Sequence, residues 1–483
     1  MPRVFKKKFK QTTFITVLLI GVLAGLGLSK FDHSIRVELL VASVFFVFVA
    51  LKTRKIFGFI FVLVFGLFAG LYRGGQVHKS LDIYDNYFNK NVTLRVVAIT
   101  DSVYADKSQL EFDADKITDA NTGKKLIGSM QVRGFGAAGV QKGDTVKISG
   151  RLYKRRGGKI AGMSFAIIEV ISRDTALADT VNRKIGSGLQ NSLPEPQASF
   201  GMGLLVGQRS NLPDDTLETL RKTGLMHIIA VSGYNVSILI AGVRRILRGR
   251  SKYQIILLSI LSIVGFLLIT GLSASIVRAA IVSTLSLLAW SCGRKIKPLI
   301  LVLLPAVITG LWNPLYVWND IGWYLSFLAF FGVIVIAPAI AVLLKNSEKK
   351  AFIKGLIIES ICAQIMTLPL LMFVFGGFSA VSLIANLLVV PFVPLAMLFC
   401  VIAAGVGLMS GLIHVLAIPA RWLLTYQLNV ASILSRLSGA FVDINATKIT
   451  MVIMYGVVLI FTSVLYLRVN RLRKFDQMDY NIV

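Results

Sequence analysis

The sequence predicts a polytopic α-helical membrane protein with a small extracytoplasmic β-barrel of the OB type inserted in it. Three observations lead there. Hydrophobic residues make up 55% of the 483 positions and charged ones only 16%, and the mean hydropathy of +0.73 excludes a soluble protein. Uncharged runs recur at lengths that cross a bilayer. One stretch, residues 88–172, breaks from runs into alternation.

A hydrocarbon core about 30 Å thick takes roughly 20 apolar residues in a helix. Before residue 75 three such runs occur, Phe14 to Ser29, Val37 to Leu51 and Ile56 to Tyr72, behind a basic start of Arg3, Lys6, Lys7, Lys8 and Lys10. The start resembles a signal peptide, but two further spans follow at once and favour a retained anchor. Residues 1–75 are therefore read as N-terminal transmembrane helices. Positive-inside counting places the N-terminus and the Lys52, Arg54, Lys55 turn in the cytoplasm, which puts residues 75 to about 200 outside.

Residues 88–172 carry five alternating, β-branched runs: Val92 to Ile99, Gln109 to Ile117, Leu126 to Phe135, Asp144 to Tyr153 and Ser164 to Ile171. Five strands in about 85 residues, with Gly-bearing turns before the fourth and fifth, suit a small closed barrel such as an OB fold. This region holds 14 Lys+Arg against 8 Asp+Glu. Its basic excess collects late, and Arg133, Arg151, Tyr153, Lys154, Arg155, Arg156 and Lys159 are the candidate contacts for a nucleic-acid strand, with Phe135 and Phe165 as further stacking faces. The bland alternative is a solvated or headgroup-facing loop over core aromatics.

Residues 173–215 read as an amphipathic connecting region, 216–470 as a helical membrane domain and 471–483 as a cytoplasmic basic tail. Spans are expected near 222–243, 254–271, 274–292, 298–312, 321–344, 355–375 and 448–467, with both termini cytoplasmic. The uncharged stretch from Ser379 to Met409, broken by Pro391 and Pro394, is either two short spans or one span followed by another with His414 and Arg421.

Four scattered His and three scattered Cys give no HxH or HExxH motif, so neither a metal nor another cofactor is expected. No P-loop is present, and the chain is not expected to be an enzyme. From residue 219 onward 22 Lys+Arg face only 6 Asp+Glu, a poor match to a cation-coupled transporter, which keeps carboxylates at mid-bilayer. Arg278 in SASIVRAAIV lies where a cation costs roughly 3 kcal/mol or more, one turn into a helix opened by Gly271, Ser273 and Ser275. His227, Ser232, Gly233 and Asn235 interrupt another apolar run, as an unwound helix lining water would. Gln364 and Asn386, each near a proline, complete the pathway candidates, with polar glue between helices as the alternative.

Taken together, GLLVGQRSNLPDDTLETLRKTGLMHIIAVSGYNVSILIAG (Gly203 to Gly242), TGLSASIVRAAI (Thr270 to Ile281), DIGWYLSFLAFFGV (Asp320 to Val333) and the AQ, LP, FS and NLxxxP elements of Ala363 to Val393 resemble the ComEC family of competence DNA-uptake channels. The resemblance covers essentially the whole chain, with Asn235 standing where the family commonly has a second His. It implies translocation of single-stranded DNA across the bacterial plasma membrane during natural transformation, with the OB-like domain receiving the strand. Many family members continue into a metallo-β-lactamase-type nuclease domain, which this sequence is expected to lack. Membrane lipid, a separate nuclease, a DNA receptor and a cytoplasmic motor are the expected partners. Competing readings are a small-anion or lipid-linked-precursor transporter, and a membrane-anchored adhesion or scaffold protein.

Overall fold

The computed structural model describes residues 11–31, 57–105, 109–136, 139–155, 159–173, 177–208, 212–229, 233–271, 274–293, 296–344, 351–409, 412–444 and 446–479. The basic start and the expected span from Val37 to Leu51 lie outside the described residues. Two compact units form, one of Met1–Arg183, Ile263–Ile296 and Leu303–Trp323, the other of Lys184–Ser262, Lys297–Val302 and Tyr324–Val483.

In chain order come α1 (Gln11–Leu28) and α2 (Phe57–Leu81), then β1 (Asn91–Ala98), β2 (Val103–Ala105), β3 (Gln109–Asp119), β4 (Met130–Gly136), β5 (Thr145–Lys154) and β6 (Ala161–Ser172). Next are α3 (Leu177–Ser192), α4 (Gln197–Val206), α5 (Asp214–Lys222), α6 (Met226–Ile229), α7 (Gly233–Ile246), α8 (Lys252–Thr270), α9 (Ala274–Ser291), α10 (Pro298–Trp312) and α11 (Pro314–Asn319). The chain continues through α12 (Ile321–Phe331), α13 (Ala337–Leu343), α14 (Ala351–Phe375), β7 (Gly377–Ser379), α15 (Ser382–Val389) and α16 (Val393–Gly407). It ends with α17 (Ile418–Ser435), β8 (Phe441–Asp443) and α18 (Lys448–Asp479). Among the described residues seven helical stretches are long and apolar enough to cross a membrane, which makes this a multi-pass helical membrane protein.

In the first unit α1 and α2 pack glycine to glycine. Gly21 and Gly25 meet Gly66 and Gly70, and a Cβ on any of them would run into backbone of the other helix. Apolar side chains gain little from one another in lipid, so close backbone approach is what holds such a pair. Two cations then cap neighbouring elements at their carbonyl ends. Arg73 donates to Leu311 O at 2.8 Å and Trp312 O at 3.1 Å, and Lys30 donates to Trp318 O at 2.8 Å, which satisfies carbonyls a helix end leaves unpaired.

Between α2 and α3 sits the sheet-rich domain. Its strands run in the order β1, β5, β6, β4, β3, β2, β1 also pairs with β3, and the β4 to β6 pair is parallel. The expected alternation holds: Leu94, Val96, Phe112, Val132, Ile148, Leu152 and Met163 are buried on one face, and their sequence neighbours point outward. The three-residue β2, which pairs with β3, was not expected; it is too short to carry a periodic signal. Asp119 anchors one end, accepting from Tyr87 Oη at 3.0 Å, Asn121 N at 3.0 Å and the Thr122 hydroxyl. The Thr122 and Asn121 bonds, joined by that from Tyr87, hold its carboxyl below the usual carboxylate range.

The second unit is built on one apolar core that runs from Leu189 through α4, α5, α15 and α16 to Ala440. Here the expected amphipathic connector needs correction. α3 is amphipathic, but α4 is buried from Ala198 through Leu205 and belongs to the core. Its sequence QASFGMGLLV carries no charge and only Gln197 and Ser199 as polar side chains, and its length of ten residues hid it. Ser379 to Met409 resolves as one helical passage: α15 and α16 join through a tight turn at Val390–Phe392, where Pro391 has no amide to offer the ladder. Arg421 then opens a separate helix, α17. A wide turn at Gly332–Ile336, between α12 and α13, lets Gly332 lie against the Cys362 carbonyl of α14. β7 and β8 pair antiparallel through Phe378 and Val442, where the sequence reading has only loops.

Candidate functional site

The residues at which the break between His227 and Asn235 is expected, 230–232, lie outside the described residues, and the described parts on either side are α6 and α7. Gly224 makes the turn between α5 and α6 with φ of +72°, a left-handed conformation that favours glycine. The turn is seated on the segment that links β7 to α15: a Cβ on Gly224 would stand 2.7 Å from Ser382 Cβ and 3.3 Å from Ser379 Cβ. Ser382 in turn accepts a hydrogen bond from Gln364 Nε2 of α14. His227 donates from Nδ1 to the Gly224 carbonyl at 3.0 Å, and its ring is exposed. A carbonyl can only accept, so Nδ1 carries a proton.

Asn235 does something different. It is buried in the first turn of α7 and donates through Nδ2 to Leu204 O at 3.2 Å, closing a free carbonyl near the end of α4. A neutral amide suffices for that. Gly233 is the first residue of α7, and Ser232 lies outside the described residues. Asn386 follows Ser382 by one turn on α15, and its Oδ1 is buried without a hydrogen-bond partner.

Arg278 belongs to the first unit, so the expected single set of pathway residues is divided between the two units. It is buried, one turn into α9, with Ser275 half-buried before it; Ser273 lies outside the described residues. Gly271 ends the preceding helix with φ of +89°, and a Cβ there would lie 3.4 Å from Lys142 Nζ of the sheet domain. Lys142 also stands 4.0 Å from Asp179, and Asn182 donates to Ile269 O at 2.7 Å. The C-terminal end of α8 is thus held by the sheet domain and by α3. The sequence reading counts Lys142 only within the basic excess of the sheet domain and does not single out Asn182.

On the sheet domain two of the basic candidates are ion-paired among the described residues. Arg133 forms an ion pair with Glu111 at 2.7 Å, and Lys159 is paired with Asp113. Arg151 and Lys154 are exposed, Arg155 is half-buried, and Arg156 lies outside the described residues. Tyr153 is half-buried: its ring lies against Gly162 and its hydroxyl accepts from Ser164 at 3.1 Å. Phe135 and Phe165 do stand outward, 45% and 66% exposed, with ring centroids 6.3 Å apart. Phe165 has φ of +55° where the β5–β6 and β4–β6 registers both shift. The bulge turns its ring to the same face as Ile167 and Phe135, a re-aiming that bulges commonly provide.

Among the described residues no group of three or more His, Cys, Asp or Glu could hold a metal ion. Amides, hydroxyls, an imidazole and a buried guanidinium are what the candidate regions offer. Apolar helices long enough to cross a membrane, with a β domain between the second and third described helices, define the class as a polytopic membrane protein with an inserted sheet domain.

The competence protein family matches residues 204–469, and the chain belongs to that family, the ComEC family. It is 30% identical over 238 residues to the ComE operon protein 3 of Bacillus subtilis (strain 168), across 48% of this chain and 29% of that protein. The chain therefore matches less than a third of that relative's length. No solved structure matches the chain.

Proposed function

We propose that the chain is a non-enzymatic plasma-membrane conduit for single-stranded DNA, that its sheet domain is an OB-type barrel on the outer face, and that both termini are cytoplasmic. Family membership supports a role in competence DNA uptake. The barrel reading is supported by the pairing of β1 with both β5 and β3 and by the parallel β4 to β6 pair.

The observation that carries the proposal is the outward face of that domain. Phe135 and Phe165 offer two exposed ring faces, and on the strand paired with that of Phe165 the cations Arg151, in register with Ser164, and Lys154, in register with Ala161, are exposed; stacking platform and phosphate contact together bind single strands without regard to sequence. The scarcity of carboxylates from residue 219 onward suits passage of a polyanion. Energy and strand degradation would come from partners: a cytoplasmic motor and a separate nuclease, with a DNA receptor outside.

The test is uptake of labelled DNA by a naturally transformable host in which this chain replaces the resident family member. Transformation is expected to fall to background on deletion and to return with the wild-type chain. Unchanged transformation after clean deletion would overturn the proposal and leave the transport of a small anion as the better reading of Arg278.

A further inference from the structure

Helix α17 has two unlike faces. Leu424, Gln427 and Ala431 are buried in the core of the second unit, while Arg421, Thr425 and Asn429 recur every four residues on another side, next to Trp422 and Tyr426. With Gln197 of α4 they line a groove of about 790 Å³, within the size range of small-ligand sites. Gln197 and Thr425 are hydrogen-bonded at 3.0 Å. Tyr426 is fixed by donation to Leu388 O at 3.1 Å and by an edge-on contact with Phe392, whereas Trp422 is 73% exposed. Among the described residues no carboxylate lines the groove. The nearest acid in sequence, Glu195, turns its carboxylate to the Ser199 amide at 3.2 Å. None of the pathway residues expected from the sequence takes part.

We infer that this groove is a binding site for a segment of single-stranded DNA, with Arg421 on a phosphate, Trp422 on a base face, and Asn429 with the Gln197–Thr425 pair on polar edges. The inference rests on the DNA reading above and extends it to a second contact, separate from the sheet domain. Charge complementarity selects the occupant: one guanidinium, three uncharged polar groups, two rings and the aliphatic Val430 and Ile433, with no acid among the described lining residues, match a phosphate–base repeat. A single cation also keeps the contact weak enough for a moving strand to leave.

The test uses the full chain in nanodiscs of zwitterionic lipid and a single-stranded oligonucleotide that carries 5-iodouracil. Irradiation is expected to cross-link the peptide that contains Trp422 and Tyr426. Trp422→Ala should lower that yield about tenfold at a fixed oligonucleotide concentration, and its exposure means folding is not at stake. Arg421→Gln should reduce the slope of log affinity against log salt by about 0.7, and Arg421→Lys should keep it. Cross-links confined to the sheet domain, with the slope unchanged by Arg421→Gln, would overturn the groove and leave the DNA reading standing. No cross-link anywhere would overturn both. If nanodiscs of phosphatidylglycerol abolish the Trp422 cross-link and Arg421→Gln restores it, the groove takes a lipid headgroup and the inference fails.

Discussion

Gly25 of α1 lies so close to Leu67 of α2 that a Cβ at position 25 would stand 2.1 Å from the Leu67 carbonyl oxygen. Neighbouring Gly27 has nothing within 4 Å of the same added atom. The two positions make an internal control. Gly25→Val is expected to force the helices apart, at a cost of about 1–3 kcal/mol or more, and Gly27→Ala to be neutral or slightly stabilising through helix propensity. Thermal unfolding in detergent reads the difference, and equal midpoints for the two variants would refute the close approach.

Asp119 sets the acid limit of the sheet domain. Its carboxyl is depressed by bonds from Thr122, Asn121 and Tyr87, so the folded state binds a proton there less readily than the unfolded chain does. The sign follows by linkage: the stabilisation is complete above the unfolded pKa of about 3.9 and disappears as pH falls through the lower folded value. Asp119→Asn should therefore lose stability at neutral pH and show a flatter decline below about pH 4. Denaturant melts followed by tyrosine fluorescence from pH 2 to 7 would show it, and parallel pH curves for wild type and variant would contradict it.

Much of this architecture is legible because lipid imposes long uncharged runs: the spans at Lys252–Thr270, Pro298–Trp312 and Lys448–Asp479 all begin within six residues of the expected positions. Strand alternation likewise placed β1 and β5 within a residue of their starts. What composition cannot carry is pairing across the chain. Arg133 and Lys159 look like free cations until Glu111 and Asp113 appear on the neighbouring strand. The amide of Asn235 looks like a pathway group until Leu204 O takes its hydrogen bond. Arg421 was legible only as a charge that interrupts an apolar stretch, because the groove beside it needs Gln197, more than 200 positions earlier.

The approach of Gly224 to Ser382 joins the interrupted helix to Gln364. Gly224→Ala meets two penalties, a left-handed φ costing about 1 kcal/mol and a Cβ 2.7 Å from that of Ser382. DNA uptake is expected to drop severalfold. Ser382→Gly removes the second penalty, so the double variant should recover part of the loss even though Gln364 forfeits its partner. The double-mutant cycle measures this coupling directly, with about 0.5–3 kcal/mol typical of residues in contact. Purely additive effects would place the two residues apart.

Pairing also ranks the outer cations. Among the described residues a phosphate recruits Arg151 and Lys154 without displacing an acid, whereas Arg133 and Lys159 would first have to leave Glu111 and Asp113. Changing either exposed residue to Gln should lower the salt slope of oligonucleotide binding by about 0.7; Arg133→Gln and Lys159→Gln should change it far less. The aromatic side separates in the same way. Phe165→Ala and Phe135→Ala remove outward rings, each expected to cost about 1–3 kcal/mol of binding, while Tyr153→Phe removes only a hydroxyl already bonded to Ser164 and should bind as wild type. Fluorescence anisotropy with the full chain in detergent, over a range of salt, separates the four classes. A defect in Tyr153→Phe would mean that its hydroxyl touches the strand, and unchanged binding by both Phe135→Ala and Phe165→Ala would mean that the exposed ring pair is not the platform.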